Sequence, residues 1–91
     1  MATIFFTEHA KFEAQRRGIE LEMIRSLIEN QPQKLPVKRN RFVLQGKYYD
    51  KIENKDMLLR VIIEPTGNSI KVISVYRTSK IDKYWIEGDA V

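Results

Sequence analysis

The sequence predicts an α+β fold: two N-terminal helices packed on a mostly antiparallel sheet, in the order β-α-α-β-β-β. Three observations predict it. Ile19, Met23, Ile24, Leu27 and Ile28 recur at i, i+4, i+5, i+8 and i+9, the period of one helix face. MLLRVIIE at 57–64 and SIKVISVY at 69–76 are apolar, β-branched runs of strand length. Pro65, Thr66, Gly67 and Asn68 between them are turn-formers, so the two runs read as a hairpin. With helices early and strands late, one helical layer covers one face of a sheet. A chain of 91 residues holds a single core, and 1–91 reads as one domain.

Each element has a local reason. Thr3–Phe6 is a short apolar strand. Thr7 is placed to N-cap a helix from Glu8 to about Arg17, with Glu8 against its positive end and Gly18 as its left-handed stop. The second helix spans about Glu20 to Asn30 and is halted by Pro32. Residues 31–41, with Pro32 and Pro36, read as a basic loop. Arg41–Gln45 and about Lys47–Ile52 read as strand, with Gly46 as a bulge or bend between them. Glu53–Asp56 is turn-like, and the hairpin of 57–64 and 69–76 follows.

The totals narrow the chemistry. Without cysteine there is no disulfide, thiol nucleophile or thiolate metal site, which suits a reducing, cytoplasmic setting. Met1–Phe6 is too short for a signal peptide, and no run has the length of a membrane span, so no membrane partner is expected. With a single histidine, His9, and no closely spaced carboxylate pair facing one way, no metal and no cofactor are expected either. The net charge is +4. It is uneven, because residues 30–49 carry Lys34, Lys38, Arg39, Arg41 and Lys47 and no anion. That segment is a solubilising loop or a field that attracts phosphates.

Arg60 is the residue that needs an explanation. Leu59, Val61 and Ile63 share one face of their strand, and Leu58, Arg60 and Ile62 the other. A cation between two large apolar residues needs a carboxylate such as Glu13 or Asp50, a snorkelling path to water, or an anionic ligand. In the last strand Ile70, Val72, Ser74 and Tyr76 fall on one face, with Lys71, Ile73, Val75 and Arg77 on the other. Pairing across the 65–68 turn brings Arg77 near Arg60, with Lys80, Lys83 and Tyr84 just beyond and Lys47, Tyr48 and Tyr49 on a neighbouring strand. Such a group fits RNA cleavage through the 2′-OH, where guanidinium and ammonium groups stabilise the phosphorane and phenol or amine groups move protons. Rings can stack the flanking bases. The plainer alternative is that Tyr76, Tyr84 and Trp85 close the edge of the core. His9, Glu13 and Arg17 lie at i, i+4, i+8 on the first helix, as an acid–base row or a structural surface network.

FTEHAKFEAQRRGIE at 6–20, Asn30 with Pro32, LLRVIIE and VISVYRTSKIDKYW together resemble the DUF4258 family, which is grouped with RelE/ParE-like toxins. The resemblance implies a RelE-like fold and the toxin of a type II toxin–antitoxin pair, with a cognate antitoxin protein as partner. For the RelE end of the group it implies endoribonuclease action on messenger RNA, often on the ribosome. Arg60 matches the mid-strand arginine, Tyr84 the downstream tyrosine, and Arg77 and Lys80 basic positions, while Thr78 stands where a second arginine is found. The expected catalytic set is Arg60, Arg77, Lys80 and Tyr84. The expected RNA contacts are Lys38, Arg39, Arg41, Lys47, Tyr48 and Tyr76. The alternatives are a ParE-like toxin that binds a protein such as a topoisomerase without chemistry, and a non-toxic RNA- or protein-binding module.

Overall fold

A computed structural model describes residues 3–87. It is α+β: a five-stranded mixed sheet with three helices. The elements are β1 (Thr3–Phe6), α1 (Glu8–Arg16), α2 (Leu21–Asn30), β2 (Gln33–Lys38), β3 (Arg41–Asp50), β4 (Lys55–Thr66), β5 (Ser69–Thr78) and α3 (Ile81–Tyr84). The sheet order is β1-β5-β4-β3-β2. β1 runs parallel to β5, and the other pairs are antiparallel.

The α1 boundaries follow from its caps. The Thr7 hydroxyl accepts from the Ala10 amide at 3.0 Å, satisfying one of the free N–H groups of the first turn. At the other end Gly18 adopts φ +68°. The Ile19 and Gly18 amides then reach back to the carbonyls of Ala14 (2.8 Å) and Gln15 (3.2 Å). This is the Schellman arrangement, and buried Ile19 supplies its apolar contact. The main core lies between α1, α2 and one sheet face: Ala10, Ala14, Ile24, Leu27 and Ile28 pack on Leu44, Leu59, Val61, Ile63, Val72 and Val75.

Four sequence expectations are corrected. Residues 31–41, expected as a basic loop, contain β2, an edge strand paired with β3 through Gln33↔Gln45 and Leu35↔Val43. Its exposed Pro36 and Val37 give no period-2 signal, and its register comes from β3. Second, Arg41–Asp50 is one unbroken strand. Gly46 pairs regularly with Leu59 and is no bulge. It is needed for another reason: a Cβ there would stand 2.7 Å from Leu27 Cδ1, so α2 crosses β3 at the glycine. Third, register shifts occur in β2, between Pro36 and Lys38, and in β5, where Ile62↔Ser74 is followed by Ile63↔Val72. The skipped Ile73 splits the expected face. Ile70 and Val72 join Val75 on the helix side, whereas Ser74 and Tyr76 turn to the opposite side. Fourth, the chain adds a one-turn helix, α3, beyond the last strand.

Candidate functional site

The sheet face away from α1 and α2 carries one continuous cross-strand row. Gln33 (β2) pairs with Gln45 (β3), Gln45 with Arg60 (β4), and Arg60 with Tyr76 (β5). Directly paired residues share a face, so four polar side chains stand side by side across four strands. They are linked end to end. Arg60 donates from Nε to Gln45 Oε1 at 3.0 Å and from Nη1 to the Tyr76 hydroxyl. Gln45 Nε2 donates to Gln33 Oε1 at 2.7 Å.

Residues 81–87 cross this face as a strap, passing β4, β3 and β2 in turn. The Tyr84 ring lies 4.1 Å from the Arg60 guanidinium carbon. Trp85 packs under the Lys47 ammonium at 4.4 Å. The Tyr84 carbonyl accepts from Gln45 Nε2 at 2.9 Å, and the Ile86 carbonyl accepts from Gln33 Nε2 at 2.6 Å. Gln45 is fully buried and Gln33 is 5% exposed, the only buried polar residues among those described.

Arg60 therefore has no carboxylate partner among the described residues. The two acids proposed for it from sequence are engaged elsewhere. Glu13 pairs with Arg17 at 2.7 Å, and Asp50 pairs with Arg77 at 3.0 Å. The guanidinium is held by neutral groups and stacked on a phenol, and its Nη2 makes no hydrogen bond among the described residues. That leaves a preoriented positive edge of the kind that recognises a phosphate or carboxylate. The Tyr84 hydroxyl is also without a hydrogen bond among these residues. Lys83, 5.2 Å from the centre of the same ring, adds charge.

The remaining expected residues are not gathered here. Arg77 pairs in register with core residue Leu59 and so faces the helices, on the opposite side of the sheet from Arg60. There its Nε donates to the Arg17 carbonyl at 3.2 Å. The expected convergence of Arg60 and Arg77 fails because the register alternates their faces. Tyr48 is on the helix side too, its hydroxyl 3.4 Å from Asp50. Burial, with Asp50 nearby, raises its pKa, so it stays a neutral phenol. Arg41 is matched by Glu64 at 2.9 Å. Lys38 and Arg39 are exposed at the β2–β3 turn, about 13–20 Å along β3 from Gln45. Lys80 is exposed before α3, and its amide is capped by the Thr78 hydroxyl at 3.1 Å. The position where an arginine was sought thus holds a turn-capping threonine. His9 is exposed on α1. In its row, Glu13 experiences burial, which raises its pKa, but the Arg17 hydrogen bond and the charges of Arg16, Arg17 and His9 outweigh this and lower it. No set of three His, Cys, Asp or Glu side chains able to hold a metal occurs among the described residues.

Residues 6–77 match the family model for a domain of unknown function, DUF4258. The chain belongs to the DUF4258 family. No match was found among curated proteins or among solved structures. In this DUF4258 chain the matched segment contains Gln33, Gln45, Arg60 and Tyr76 but ends at Arg77, before Tyr84 and Trp85. The two glutamines were missed from sequence. Gln45 carries a signal, being a lone polar residue in the apolar run FVLQG, as Arg60 is in LLRVI. Gln33 has no such signal.

Proposed function

We propose that this DUF4258 protein is a RelE-like toxin of a toxin–antitoxin pair that cleaves messenger RNA without a metal, with Arg60 as its phosphate-binding group. The observation that supports this reading is the guanidinium of Arg60, fixed by Gln45, Tyr76 and Tyr84 with no described anion to neutralise it. In this reading Arg60 stabilises the charge that develops on the phosphorane as the 2′-oxygen attacks. Tyr84, whose hydroxyl is uncommitted, lies within the same cluster to transfer a proton. Lys47 and Lys83 add electrostatic attraction for the strand. Arg77 and Tyr48 leave the catalytic and RNA-binding sets and become structural. Lys38 and Arg39 remain as distant phosphate contacts. The expected partners are messenger RNA, on or off the ribosome, and a cognate antitoxin.

One observation favours a second reading, a toxin or module that binds RNA or protein without chemistry: only one arginine stands at the site. Tyr84→Phe separates the two. It keeps the ring on Arg60 and removes only a hydroxyl that makes no hydrogen bond among the described residues. Wild type, Tyr84→Phe and Arg60→Ala are to be induced in a bacterial host, with 5′ ends of total messenger RNA mapped within minutes. New ends with wild type, fewer by about 10²-fold or more with Tyr84→Phe, are expected for proton transfer by this phenol. Growth arrest without new ends supports the binding toxin. Cleavage undiminished by Arg60→Ala rejects the assignment of the site.

A further inference from the structure

We propose that the strap, residues 81–87, is a separable half of the Arg60 site, latched to the sheet by Gln33 and Gln45, so that strap docking and RNA binding are linked; the linkage rests on the RNA reading above. The site is divided between two bodies. Arg60 and Tyr76 stand on the sheet, and Tyr84 and Trp85 stand on the strap. Gln45 bridges them with one amide: its Oε1 accepts from Arg60, while its Nε2 donates to the Tyr84 carbonyl and to Gln33. Gln33 then grips Ile86 at both backbone atoms, accepting from its amide at 3.2 Å and donating to its carbonyl.

Apart from the two amides, the strap is held by half-buried Ile81 and Ile86 and by the rings of Tyr84 and Trp85 against Arg60 and Lys47. α3 has no side-chain cap and buries no residue, and Ser79 and Lys80 before it are exposed. Apolar residues at 33 and 45 would bury a strap non-directionally. Buried amides instead fix its register, because each must find a partner or lose free energy. When the strap lifts, water can take over those same bonds, although Val43 and Leu58, buried on this same face, add an apolar contribution to docking. A ligand that touches both Arg60 and the Tyr84 side binds only the docked fraction, and its apparent affinity scales with that fraction. By reciprocity, the ligand must tighten docking.

Trp85 is the only tryptophan and reports docking directly. Gln33→Leu breaks the grip on Ile86 without touching Arg60 or the Tyr84 ring. In the full chain we expect the Ile86 amide to exchange about tenfold faster or more and Trp85 to become more accessible to acrylamide, with β4 and β5 protection unchanged. Affinity for a 2′-O-methylated oligoribonucleotide, which binds but cannot be cut, falls by the factor by which docking falls. Adding that oligonucleotide to wild type slows exchange at Ile86. Should Gln33→Leu fold poorly, Ile86→Pro removes the amide donor without altering the sheet. Trp85 quenching unchanged in both variants, with Ile86 exchange unchanged in Gln33→Leu, overturns the latch. An undocked strap with unchanged or higher affinity overturns its place as half of the site. A wild type that binds no oligoribonucleotide overturns the linkage together with the RNA reading, while exchange alone then decides the latch.

Discussion

Arg60 donates to two neutral oxygens and lies on a ring, and each contact has a measurable consequence. Removing the guanidinium leaves Gln45 Oε1 buried without its donor, at a cost of about 1–3 kcal/mol. Removing only the Tyr76 hydroxyl deletes one hydrogen bond, about 0.5–1.5 kcal/mol. Arg60→Met and Tyr76→Phe are therefore expected to lower stability in urea unfolding, Arg60→Met the more. Their double mutant should fall short of the sum by about 1 kcal/mol, because both remove the same bond. Strict additivity would show that the Arg60–Tyr76 contact contributes nothing. Arg60→Lys is no conservative test, since an ammonium cannot reproduce two bonds in one plane plus the stacking. Arg60 was legible in the sequence as a cation between Leu58 and Ile62. Its partners were not, because a cation between apolar residues calls first for a carboxylate, and the structure supplies amides and phenols.

At the scale of elements, what was legible carried its own period or cap. The Ile19–Ile28 stripe, the Thr7 cap, the Gly18 stop and the β4–β5 turn are short-range signals. β2, the Gly46 crossing and the faces of β5 depend on long-range pairing. β2 takes its register from β3, and a single skipped residue at Ile73 reassigns the sides of β5 from Ser74 onward. For that reason Arg77, expected beside Arg60, lies behind the sheet. Gly46 gives a direct test of the α2–β3 crossing. Gly46→Ala puts a methyl carbon 2.7 Å from Leu27 Cδ1, so Leu27 must move. We expect a loss of about 1–3 kcal/mol, read as a drop in Tm, and less than additive loss when Leu27→Ala is combined with it. At the start of α1, Thr7→Ala removes the cap on the Ala10 amide and should cost about 1 kcal/mol. An unchanged Tm in Thr7→Ala would mean that water caps the helix equally well.

On the scale of the whole molecule the two sheet faces are built differently. The helix face is an apolar core with Glu13–Arg17 and Asp50–Arg77 at its border, and the strap face is a polar row, flanked by buried Val43 and Leu58, in which Arg60 has no described acid. The ion pairs give the fold a definite acid response. Asp50 is lowered by the Glu53 and Ile52 amides, which donate to it, and by Arg77. Glu64 is lowered by its hydrogen bond to Arg41, and Glu13 by Arg17 and its neighbours against the effect of burial. Each folded-state pKa lies below the unfolded value, so the folded state binds fewer protons. The stability they contribute is complete above the unfolded carboxylate pKa, about 4, and is lost as pH falls through the lower folded values. Tm should be level from neutral pH to about 5 and fall below about 4. Asp50 matters most to the architecture, because it joins the β3–β4 turn to Arg77 of β5. Asp50→Asn should lower Tm at neutral pH and make the acid decline shallower, because the neutral amide has no proton to gain. An acid slope in Asp50→Asn as steep as that of wild type would place the pH dependence elsewhere, on Glu13 and Glu64. The Arg60 row holds no carboxylate among the described residues. Exchange at the Ile86 amide, corrected for the intrinsic pH dependence of exchange, should therefore report the same strap docking at pH 5 and pH 7.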